Sequence, residues 1–159
     1  MLLPIILHPD PRLRAPCAGV TSFDDGLRTL AADMTETMYA APGLGLAAPQ
    51  VGRALRLFVF DPWHLDDADG TRRPLVLANP EIVRSVGTQR LEEGCLSLPG
   101  IYEVIERAGS VVVRAQDGHG VPFERSFDGL AAFALQHELD HLDGILLIDR
   151  IVAKLRGRR

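Results

Sequence analysis

Two histidines four residues apart, with a glutamate beside the first, form the pattern H-E-x-x-H: His137-Glu138-Leu139-Asp140-His141. On a helix, residues four apart lie on one side, one turn apart. Two imidazoles so placed can grip a single metal ion, and Glu138 then stands where it can handle a water activated by that ion. Incidental histidines on a helix are the bland alternative. Against it, two imidazoles and a carboxylate inside a largely apolar segment are costly to bury without a purpose.

Two imidazoles do not complete a site. No glutamate follows Glu138, which closes the thermolysin-like route, and Leu147 stands where a metzincin places its third histidine. Asp143 and Asp149 are weak downstream candidates. Upstream stand His8, Cys17, His64, Cys95 and His119. His64 falls in a polar stretch and His119 in a turn, so both are expected in solvent. Cys17 follows Ala15-Pro16 and reads as a small buried residue. Cys95 stands out by its surroundings, Glu92-Glu93-Gly94-Cys95-Leu96-Ser97-Leu98-Pro99. A free cysteine is most often core, however, so residue types alone leave the third ligand open.

The elements that must position these groups follow from periodicity. A helix is expected from about Leu130 to Leu142, stopped by Gly144. Leu130, Phe133, Ala134, His137 and His141 share one face and Leu135, Leu139 and Leu142 another, which places this helix at the centre of its domain. A first helix, with Leu27, Leu30, Met34 and Met38 in step, starts at Ser22 or Asp24 and ends near Tyr39. The glycine-rich turn Pro42-Gly43-Leu44-Gly45 follows. Strands are expected at Leu55 to Phe60, Leu75 to Leu77 and Ile82 to Val86, the last two joined through Asn79-Pro80. Val111 to Ala115 and Pro122 to Phe127 flank the hairpin turn Asp117-Gly118-His119-Gly120. Asp61 to Arg73 reads as a surface loop, and a short helix begins at Asp149. The fold class is α+β: one compact domain over 1–159, its metal-binding helix packed on antiparallel strands.

Composition limits the functions available. The chain has 159 residues, 47% apolar and 24% charged, as in an ordinary globular domain. Seventeen basic against 21 acidic residues give a net charge of −4, which argues against broad nucleic-acid binding. Two cysteines make no disulfide framework, and neither a signal peptide nor a membrane span is legible, so the expected location is the cytoplasm. The basic end Lys154-Leu155-Arg156-Gly157-Arg158-Arg159 is expected to fray in solvent.

Three longer motifs, in fixed order, resemble those of the peptide deformylases: Gly43-Leu44-Gly45-Leu46-Ala47-Ala48-Pro49-Gln50, Glu93-Gly94-Cys95-Leu96-Ser97-Leu98-Pro99 and Gln136-His137-Glu138-Leu139-Asp140-His141. The likeness runs from about Leu7 to Asp149. It implies a hydrolase that removes the formyl group from the N-terminal formyl-methionine of nascent polypeptides, releasing formate. It implies Cys95, His137 and His141 as ligands of one metal, ferrous iron first, with zinc, nickel or cobalt able to replace it. Glu138 becomes the proton carrier, and the Gln50 side chain and Leu96 backbone N–H become the oxyanion donors. Gly43 and Gly45 would let the peptide pair along the chain, and Leu44, Leu91, Phe133 and Ala134 would form the methionine pocket. Glu93 would support the pocket, Tyr102 would line the cleft, and Arg107 and Asp140 would form an ion pair. Better-known bacterial members continue into a long basic helix that docks on the ribosome; this chain stops at Arg159, which puts such attachment in doubt.

Two rivals remain at this point. One is a metallopeptidase built on the same helix, which would cleave internal peptide bonds. The other is an inactive binding protein with the same fold, although loss of Glu138 would have been its mark.

Overall fold

The computed structural model describes residues 1–64 and 70–157. Three helices, α1 (Asp25–Ala40), α2 (Gly129–Leu142) and α3 (Leu147–Gly157), surround seven strands. The strands are β1 (Gly45–Ala47), β2 (Leu57–Phe60), β3 (Leu75–Val86), β4 (Gln89–Cys95), β5 (Leu98–Arg107), β6 (Ser110–Gln116) and β7 (Pro122–Asp128). Five form an antiparallel sheet in the order β1-β2-β3-β6-β7, and β4 and β5 form a separate hairpin.

The five-stranded sheet is covered on both faces, which is why all four residues of β2 are buried. Along a strand, alternate side chains point to opposite faces. Leu57 and Val59 pack with Leu27, Leu30, Met34 and Met38 of α1. Phe58 and Phe60 pack with Ala131, Ala132, Leu135 and Leu142 of α2. α2 thus lies under the sheet, apolar on the side toward β2 and free to use its other side for chemistry. The hairpin closes the remaining side: Leu98 and Ile105 meet Phe133 of α2 and Leu147 of α3.

Several boundaries differ from those expected. Asp24, not Ser22, caps α1, its carboxylate accepting from Leu27 N–H at 3.0 Å. The two strands expected around Asn79-Pro80 are one, β3, with an irregularity between Ala78 and Glu81. There Asn79 has a φ of 51°, and its amide bonds to both backbone groups of Val20 and to Gln116, so the kink leaves little unsatisfied. α3 begins two residues before Asp149. The basic end is helical through Gly157, and Lys154 is tied to Glu103 and the Val104 carbonyl. Of the loop expected from Asp61 to Arg73, 65–69 lie outside the described residues, as do the last two arginines of the tail. Asp61 itself is fully buried, accepting from Tyr39 Oη–H at 2.6 Å.

Candidate active site

α2 brings His137 and His141 onto one side one turn apart, their Nε2 atoms 3.2 Å from each other. Cys95, at the end of β4, places its Sγ 3.4 Å from His141 Nε2. These three residues form a cluster able to hold a metal ion, their ligand atoms all within 4.8 Å of one another. Donor atoms about 2.1–2.3 Å from one tetrahedral ion stand roughly 3.4–3.8 Å apart, so the spacing fits. A thiol with two imidazoles also fits the chemistry of a borderline divalent ion. Neither His8, Cys17, His64 nor His119 joins this cluster, and neither does Asp143 or Asp149.

The electrostatics fit a cation as well. Burial disfavours charge on His137, but Glu138, Cys95 and Glu93 outweigh it and hold a proton on the ring. The negative surround that keeps this proton would equally stabilise a metal ion. Burial and the neighbouring His137 push His141 well below the usual histidine range. His141 Nδ1 and Glu138 Oε1 are buried without a hydrogen-bond partner among the described residues. Glu138 is nearly inaccessible, and burial pushes its carboxyl up to about 7. Burial thus lets this carboxyl keep a proton more readily than an exposed one would.

Further side chains hold this cluster in place. His137 Nδ1 donates to Glu93 Oε1. Such a carboxylate fixes the ring's tautomer and direction. Glu93 is buried rather than an exposed loop charge, and Arg107 grips both of its oxygens at 2.8 Å. Burial alone would raise Glu93, but the bonds from Arg107 and His137 win and hold it at about 2. Arg107 also reaches Asp140 at 3.0 Å, as the resemblance implies. Arg150 of α3, a residue that periodicity does not mark, clasps the same carboxylate at 2.7 and 3.0 Å. Two acids and two guanidiniums therefore balance, which a buried ionic group requires.

Gln50 is also buried rather than a surface amide. It sits in a single 3-10 turn after β1, and its Oε1 accepts from Ala47 N–H at 2.9 Å. Its Nε2 lies 3.1 Å from Ser97 Oγ and 3.8 Å from Cys95 Sγ, so the amide is aimed at the metal-ligand cluster. Ser97, buried in the turn between β4 and β5, stands in the second motif, but residue type alone gives it no role there.

A cleft of about 330 Å³ opens above these groups. Gly43, Leu44, Gly45, Gln50, Glu93, Cys95, Leu96, Tyr102, Phe133, Ala134, His137 and Glu138 all line it. Leu130 lines it too; it shares the expected face of α2 but is absent from the pocket that the resemblance implies. Leu91, which the resemblance places in the methionine pocket, lies on β4 two residues before the cleft-lining Glu93. It packs with the Leu98, Ile105, Phe133 and Leu147 cluster and does not line the cleft.

A family model described as polypeptide deformylase matches residues 2–156. The chain belongs to the polypeptide deformylase family. Peptide deformylase of Alkalilimnicola ehrlichii is 49% identical over 158 residues, covering 99% of this chain and 86% of that one. The crystal structure of peptide deformylase from Thermus thermophilus superposes with a TM-score of 0.89 at 44% identity, over 99% of this chain and 91% of the other. That from Thermotoga maritima gives 0.87 at 42%, over 94% and 97%. This deformylase is a hydrolase of a metal-dependent family with an α+β fold, and it acts on the formyl group of nascent peptides. Neither rival reading gains support: Cys95 converges from upstream on the two histidines, and Glu138 lines the same cleft. No helix among the described residues is long and apolar enough to cross a membrane.

Proposed function

We propose that residues 1–159 act as one catalytic domain that hydrolyses N-terminal formyl-methionine on new polypeptides in the cytoplasm, with Cys95, His137 and His141 holding the metal. The observation that carries this reading is the convergence of that cluster with Glu138 and Gln50 in a single cleft. The metal, ferrous iron by resemblance, supplies Lewis acidity that polarises a carbonyl and acidifies water. Glu138 takes the proton that water loses as it attacks the formyl carbon, and returns it to the departing amine. Of the two N–H groups on Gln50 Nε2, one is directed to Ser97. The other points toward Cys95 Sγ at 3.8 Å, into the cluster, and would turn, with Leu96 N–H, to the oxygen on which negative charge develops. Formate and a free amine leave. Leu44, Leu130, Phe133 and Ala134, with Leu91 packed in the cluster around Phe133, supply an apolar wall for methionine, whose flexible thioether suits an irregular pocket. Tyr102 stands at the rim. No ribosome contact is part of this reading.

Formate release from formyl-Met-Ala-Ser by protein purified without oxygen tests the proposal. Acetyl-Met-Ala-Ser should be nearly inert, because its extra methyl presses on the oxyanion donors and a misplacement of about 1 Å costs roughly a hundredfold. No formate, or equal kcat/KM on the acetyl peptide, would overturn it.

A further inference from the structure

His64 stands outside every motif, yet it is half-buried rather than solvated. Its Nε2 lies 3.1 Å from the Gly43 carbonyl oxygen. A carbonyl can only accept, so Nε2 carries the hydrogen. The ring meets Tyr39 edge-on, centroids 5.1 Å apart. The turn that carries His64 is itself firmly held. The Asp61 carboxylate accepts from Tyr39 Oη–H at 2.6 Å, Arg73 N–H at 2.7 Å and Trp63 N–H at 3.2 Å. Asp61 N–H in turn donates to the Leu44 carbonyl at 2.9 Å.

We propose that His64 is a positioning residue for substrate binding: its bond to the Gly43 carbonyl fixes 43–45, the segment along which the peptide aligns. This rests on the deformylase reading above. Gly43 N–H is already tied to the Met38 carbonyl at 2.8 Å, so His64 completes its anchoring and secures the turn between α1 and β1 from the second side. The position matters twice. Gly43 lies close to the hairpin, since a Cβ there would come within 2.9 Å of Leu96 Cδ1. Gly45 sits opposite Phe60, next to the Leu44–Asp61 bond. Hydrogen-bonded and non-bonded pairs alternate, so the N–H and C=O of Gly45 face the open edge of β1. A looser turn at Gly43 would blur the very groups a peptide must meet.

The test uses the metal-loaded full chain. His64→Phe keeps a ring against Tyr39 and removes the donor; His64→Gln restores an N–H at similar reach. His64→Phe should raise KM for formyl-Met-Ala-Ser about three- to tenfold, the effect of one lost hydrogen bond, with kcat within about twofold. Metal content should not change, formyl-Met alone should be affected less than the tripeptide, and His64→Gln should recover most of the loss. Amide exchange at Gly43 should speed up in the Phe variant. Unchanged KM with unchanged exchange would overturn the inference, and so would an equal loss on both substrates accompanied by lost metal. If the parent releases no formate, the activity reading fails instead, and the exchange comparison still decides whether His64 holds the segment.

Discussion

Placing a methyl group on Gly45 should disable proton transfer while sparing everything around it. An ideal Cβ there lies 2.7 Å from Glu138 Cγ and Oε2 and 2.8 Å from Cδ. Carbon contacts are comfortable at about 3.5–4.0 Å, so the carboxylate has to retreat by about 1 Å. The Glu138 backbone is fixed in α2 between the two histidines, so the side chain alone must move. A displacement of about 1 Å at a reacting group costs roughly a hundredfold in rate. The strand should survive, because Gly45 has no left-handed φ and alanine there restricts the unfolded chain. Gly94→Ala is the control. Its Cβ would come within 2.6 Å of the Tyr102 ring, but Tyr102 is 65% exposed and can swing away. Steady-state formate release, metal analysis and thermal melting should be measured on both. Gly45→Ala should lose about a hundredfold in kcat with its metal intact, and Gly94→Ala less than about tenfold. Equal kcat in Gly45→Ala and parent, or metal lost in parallel with activity, would refute the reasoning.

Glu138→Gln should keep one metal per chain by elemental analysis while turnover falls about 10²–10⁴-fold, the usual worth of a proton carrier. Cys95→Ala should lose both activity and tight metal binding in the same assays, since its sulfur is one of only three ligand atoms in the cluster. Acid should expose the buried ion group. Glu93 is lowered from 4.5 to about 2, so its contribution is complete above about 4.5 and disappears as pH falls from there to about 2. That depression corresponds to about 3 kcal/mol. In denaturant titrations of metal-stripped protein, the stability gap between parent and Glu93→Gln should narrow over that range; a constant gap would contradict the linkage.

How much can be read from residue order depends on what kind of signal each part carries. α2 is legible because its apolar period and its histidine spacing point to the same helix, and α1 because four apolar residues keep step. The β4–β5 hairpin escapes such reading because β4 turns a charged side chain inward: Glu93 is buried only because Arg107, fourteen residues away, meets it. No alternation of apolar and polar residues can announce such a strand. Gln50 and His64 escape for a related reason. Each reads as an ordinary polar residue near a turn, and each acquires its meaning from partners brought close by the fold. Cys95 can be singled out by its neighbours but not chosen as a ligand without the motif as a whole.

The cleft lies between β1 of one sheet and β4 of the other, and among the described residues no strand pairing joins the two sheets. The molecule is in this sense built with one strand missing. An extended peptide laid in the gap would serve for a moment as a structural member, tying the two halves together. By mass action, as for any ligand of the folded state, a non-hydrolysable peptide at about 100 times its Kd would add about 2.7 kcal/mol to the stability of the fold, whichever contacts supply the affinity.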